Sequence, residues 1–158
     1  MKEITFVSPF ISEELFEPAG FIEKLMVKHF IGNTEINVRM ITSPPQTLRK
    51  LDLLDKLELS GWKVDWCENL HSKIYIFKPN VEQMDKRTLD KSLFRDCFLI
   101  GSANLTKSGL GLHDRGNHEI CENLDIALHN ETDNYIKYLS KSFYTDTVKS
   151  RHRNKTKS

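Results

Sequence analysis

The chain has 158 residues, of which 39% are hydrophobic, 9% aromatic and 28% charged, with seven Gly and five Pro. That composition excludes disorder, a collagen-like repeat and a coiled coil, and a domain of this length buries roughly 70% of its unfolded surface without disulfides or a structural metal. The net charge is +1, but Lys149, Arg151, Arg153, Lys155 and Lys157 supply five positive charges at the C-terminus, so residues 1–148 carry a net −4. The expectation is a single domain over residues 1–148 followed by a basic, flexible tail over 149–158, suited to an anionic partner such as nucleic acid.

Ile4 and Phe6 mark a first strand that stops at Ser8-Pro9, where proline removes a ladder donor. Phe21, Ile22, Leu25, Met26 and Phe30 recur at helical spacing before Gly32-Asn33. Ile36, Val38 and Met40 alternate as a strand, and Ser43 with Gln46 three residues on fits a capping box. The helix after it carries Leu48, Leu51, Leu54 and Leu57 on one side and ends near Gly61. Strands are expected from Trp62 to Cys67 and from His71 to Phe77. A polar stretch from Lys78 to Arg95 reads as an insertion or long hairpin loop. Strands from Cys97 to Ile100 and from Glu119 to Leu128 follow, then an amphipathic helix from about Asp133 with Tyr135, Ile136, Leu139 and Phe143 inward. Helices and strands alternate in the first half and strands dominate the second. The fold class is α/β, a mixed central sheet flanked by helices as an α/β sandwich.

The longest apolar runs fall far short of the roughly 20 residues that span a bilayer, and Met1-Lys2-Glu3-Ile4 lacks a secretory pattern. A cytoplasmic protein with no membrane partner is expected. Cys67, Cys97 and Cys121 form no CxxC pair and no zinc-ligand spacing with His, and all three read as reduced core residues. Trp62 and Trp66 share one strand face and read as core packing, although two such rings can also stack on bases.

Three stretches carry residues with chemical potential: Leu70-His71-Ser72-Lys73, Gly101-Ser102-Ala103-Asn104 and Asn117-His118-Glu119. Within a strand, His71 and Lys73 project from the same face about 7 Å apart. Gly101 and Ser102 end an apolar strand where backbone can approach a ligand, and an amide such as Asn104 can donate to an oxyanion. An imidazole, an ammonium and amide donors together suit a phosphate ester. His113 and His118 read as loop residues.

On His71, Lys73, Gly101, Ser102 and Asn104 the chain resembles the phospholipase D superfamily, whose pattern is His-x-Lys, an Asp further on, then Gly-Ser-x-Asn. The segment Val7-Ser8-Pro9-Phe10-Ile11-Ser12 and the acid Glu119 look like the corresponding family elements, so the resemblance covers most of residues 4–128. It departs in two ways. Lys78 stands where the family carries Asp, and residues 79–94 lengthen the path to Gly101; Asp96 is a candidate substitute carboxylate.

The resemblance implies a phosphodiesterase that needs neither cofactor nor metal, closest in style to short single-motif nucleases and the nuclease domains of restriction endonucleases. One motif per chain implies a homodimer that completes the active site. One His71 would be nucleophile and the other general acid and base, with Lys73 and Asn104 catalytic, Ser102 and Gly101 holding phosphate, and Glu119 fixing a histidine tautomer. The implied substrate is DNA, or RNA. Two alternatives stand beside it: a non-catalytic member that binds phosphate or nucleic acid, and a phospholipid phosphodiesterase, which requires an apolar rim near the pocket.

Overall fold

Strand β1 (Glu3–Val7) is buried over Ile4 to Val7, which places it inside a sheet rather than at an edge. The computed structural model describes residues 3–17, 20, 22, 36–78, 96–110, 112, 121–124, 128–141 and 146–157. After β1 come a short 3-10 turn (Glu13–Leu15), β2 (Asn37–Thr42), α1 (Leu48–Leu59), β3 (Lys63–Trp66), β4 (Ile74–Lys78), β5 (Cys97–Gly101), β6 (Cys121–Asn123), α2 (His129–Lys141) and α3 (Asp146–Lys157). The six strands form one sheet in the order β3-β2-β1-β4-β5-β6. Pairing is parallel across β1, β2 and β3, and antiparallel from β1 through β4 and β5 to β6. The protein is therefore the mixed α/β fold that the sequence pattern points to.

Side chains alternate across each strand, and the two faces bury two apolar layers. Ile4, Phe6, Val38, Met40, Val64, Trp66 and Tyr75 pack with Leu51, Leu53, Leu54 and Leu57 of α1. Val7, Ile41, Ile74, Ile76 and Phe98 pack with Ile136 and Leu139 of α2. Helices thus cover both faces. Trp66 is fully buried in the core, and the half-buried Trp62 packs against that core, stacked on Phe6 with ring centroids 5.9 Å apart.

Local chemistry explains where the elements stop. Gly61 has φ +86°; its N–H donates to Glu58 O and that of Trp62 to Leu57 O, a Schellman closure of α1 that only a left-handed residue permits. The N-cap of α1 is Thr47, whose hydroxyl accepts from Lys50 N, and not Ser43. Gln46 instead donates to Pro44 O, so the expected capping box is not formed. Strand β4 begins at Ile74 rather than His71, because its partner β1 ends at Val7, where Ser8 N turns to Ile41 O and Pro9 has no N–H. Among the described residues of the strand expected over 119–128, β6 is strand and Leu124 and Leu128 are not.

The basic C-terminus, expected to be a tail, forms α3. Lys149 Nζ donates to Val64 O at 2.6 Å, and Arg153 pairs with Asp55 and Glu58 at 2.9 and 2.7 Å. Both cations lie over the Trp66 ring. Of the three free cysteines only Cys67 is buried; Cys97 is half-buried, and Cys121 is exposed on edge strand β6 and is no core residue. Of the helix expected over 21–30 only Ile22, helical and buried, is described; the hairpin over 79–94, Phe143, His113, His118 and Glu119 lie outside the described residues.

Candidate active site at one edge of the sheet

One edge of the sheet collects the carboxyl ends of β1, β2, β3 and β5 and the amino ends of β4 and β6. The connection from β3 to β4 bypasses β2 and β1 along that edge, because those two strands lie between its ends in the sheet. Its turn is set by Asn69 at φ 55°, a left-handed conformation that Asn adopts more readily than most residues. His71, Ser72 and Lys73 end this connection, and Lys73 O accepts from Gly101 N at 3.3 Å. The backbone therefore joins the two segments that the sequence pattern singles out.

His71, Lys73 and Gly101 line one groove of about 540 Å³, within the range of small-ligand sites. His71 is exposed and Lys73 half-buried. The opposite wall is α2, where Tyr135 Oη lies 2.6 Å from Ser72 Oγ. Ile74, Ile100, Leu124 and Leu128 make the rest of the wall largely apolar, and Ile100 and Leu128 remain 41% and 47% exposed. An apolar rim is thus present that no motif in the sequence announces.

Ser102 and Asn104 are not among the residues that line this groove; they continue from β5 beyond Gly101. Ser102 is exposed and Asn104 half-buried. The segment is fixed on both sides of Asn104. Tyr75 Oη donates to Ala103 O at 2.6 Å, and the buried Ser8 hydroxyl accepts from Leu105 N at 2.9 Å while donating to Phe10 O. Gly109 lies so close that a Cβ there would fall 2.5 Å from Asn104 O. Within this frame the Oδ1 atom of Asn104 is buried and has no hydrogen-bond partner among the described residues, an uncommon state for a buried acceptor.

Of the two candidate carboxylates only Asp96 is among the described residues. Asp96 precedes β5 at the end paired with Phe77, remote from the groove, so it does not replace the missing acid. Lys78, at that same far end, pairs with Asp133 of α2 at 3.0 Å and with Glu3 at 3.8 Å. Cys121, which opens β6, pairs with Gly101. The chain therefore returns to the groove edge two residues after Glu119.

The sequence pattern gives no sign of Lys50 on α1. Its Nζ donates to Pro9 O at 3.2 Å at the same sheet edge, and burial lowers its pKa to about 8. Burial also pushes the Cys67 and Cys97 thiols up, which makes both poor nucleophiles. Among the described residues no cluster of three or more His, Cys, Asp or Glu could hold a metal ion, and no helix is long and apolar enough to cross a membrane. The fold and groove define an α/β protein with a half-apolar cleft, lined also by His71, Lys73 and Glu131, at the carboxyl edge of its parallel strands. Compared with known protein families and with curated proteins, the chain matches none.

Proposed function

We propose that the chain is a metal-independent phosphodiesterase of phospholipase D type that hydrolyses nucleic-acid phosphodiesters, DNA first, at a site completed by a second copy of itself. The observation that carries this reading is the convergence of His71, Lys73 and Gly101 on one groove. His71 of one copy attacks phosphorus, forming a P–N bond as the bond to the leaving alkoxide breaks. A protonated His71 of the second copy gives its proton to that alkoxide, then takes one from water, whose oxygen displaces the imidazole and releases the phosphomonoester. Lys73 offsets the charge of the phosphoryl oxygens, the Asn104 amide N–H and the Ser102 hydroxyl donate to them, and Glu119 orients a ring.

The test is incubation with single- and double-stranded DNA and a chromogenic phosphodiester in excess EDTA, beside His71→Ala. Cleavage that survives chelator and vanishes in the variant supports the proposal; DNA bound without turnover moves the reading to a binding module. One observation favours a second reading, a phospholipid phosphodiesterase: the exposed apolar rim of Ile100 and Leu128. That reading requires hydrolysis of phosphatidylglycerol vesicles.

A further inference from the structure

The apolar residues of the groove adjoin the phosphate-directed ones and need an occupant of their own. We propose that it seats a single unstacked nucleobase, so that the site takes single-stranded nucleic acid in preference to a duplex; this rests on the phosphodiesterase reading above. The groove is continuous from His71 and Lys73, which suit a phosphate, to Ile100, Leu128 and Tyr135. A nucleotide has the same order of parts, an anion followed by a flat apolar ring. Tyr135 is held by its hydroxyl against Ser72, one residue from both His71 and Lys73, so its ring stands beside the His-x-Lys pair. Stacking on such a ring tolerates any base because every base has a π-face.

One feature favours a base over an acyl chain. Glu131 also lines the groove and is exposed, and a carboxylate can accept from an exocyclic amino group of a base. An acyl chain laid over the same wall would desolvate that carboxylate without pairing it. A duplex keeps its bases stacked and paired inward, so the groove can receive one only after unpairing.

The experiment uses the full chain in EDTA with a 12-nucleotide strand carrying central 2-aminopurine, alone and annealed to its complement, beside vesicles of phosphatidylglycerol. The expected result is binding of the single strand at least tenfold tighter than the duplex, with quenched 2-aminopurine fluorescence. Tyr135→Leu, its fold checked by circular dichroism, loses about tenfold in affinity and loses the quench, in line with about 1–3 kcal/mol for stacking per base; Tyr135→Phe loses less. Equal binding of duplex and single strand, an unaltered quench in Tyr135→Leu, or binding of vesicles in place of DNA overturns the proposal. Binding and quenching without any hydrolysis would support the base seat while overturning the catalytic reading. EDTA-resistant cleavage without strand preference would overturn the base seat alone.

Discussion

Lys78 and Asp133 form an ion pair at 3.0 Å that ties β4 to α2 at the end of the strand remote from His71. Lys78 also sits 5.6 Å from the centre of the Phe98 ring. The position where the resemblance places an acid therefore holds a cation with its own acid, supplied by the neighbouring helix. Installing the acid by Lys78→Asp sets it against Asp133 and Glu3 and is expected to destabilise the fold by about 1–2 kcal/mol. Lys78→Asp combined with Asp133→Lys is expected to recover most of that loss, measured by urea unfolding as a double-mutant cycle. Recovery of nothing would show that the pair is not coupled.

Lys50 gives the fold a pH dependence of known sign. Its folded pKa of about 8 lies below its ordinary 10.5, so below pH 8 both folded and unfolded states hold the proton and the folded state bears the full cost of burying it. Between pH 8 and 10.5 the folded state releases the proton while the unfolded chain keeps it, and stability rises with pH. Lys50→Met removes that cost and also the hydrogen bond to Pro9 O. It is expected to stabilise by about 1–2 kcal/mol at pH 7, and the gain should shrink toward pH 10 in urea melts at each pH.

Gly109 positions Asn104 without touching the groove. A methyl group there meets Asn104 O at 2.5 Å and Asn104 N at 2.9 Å, both backbone atoms that cannot swing aside. Gly109→Ala is expected to cut cleavage by about tenfold or more, since misplacement by about 1 Å can cost a hundredfold. Its effect should fall on kcat more than on affinity for DNA. An unchanged kcat would separate Asn104 from the chemistry.

Arg153 holds α3 against the domain. Its guanidinium pairs with Asp55 and Glu58 and lies 5.2 Å from the Trp66 ring centre. Arg153→Ala is expected to cost about 1–2 kcal/mol and to red-shift tryptophan emission as α3 loosens, followed by fluorescence during urea unfolding.

Strand identity was legible because apolar runs such as Ile74 to Phe77 and Cys97 to Ile100 sit between clear breakers. Gly61 announced the end of α1 because its conformation is a local property. The start of β4 was not legible from its own residues, since it depends on where β1 runs out of hydrogen-bond donors. Helix α3 was hidden for a related reason. Its Lys and Arg look like a solvated tail until Asp55, Glu58 and Trp66, some ninety positions away, are brought beneath them. Within the candidate site, His71, Lys73 and Gly101 could be named from motif spacing, whereas Tyr135 and Leu128 reach it only through tertiary packing.

The central claim is that His71 performs phosphodiester hydrolysis without a metal ion. The most direct measurement is the rate of cleavage of a single-stranded oligonucleotide in excess EDTA by the wild-type chain and by His71→Ala, with the mass in solution recorded for each. The account predicts a dimer that cleaves in chelator and a dimeric variant in which cleavage is lost. Cleavage that persists in His71→Ala, or that EDTA abolishes in the wild type, would contradict it.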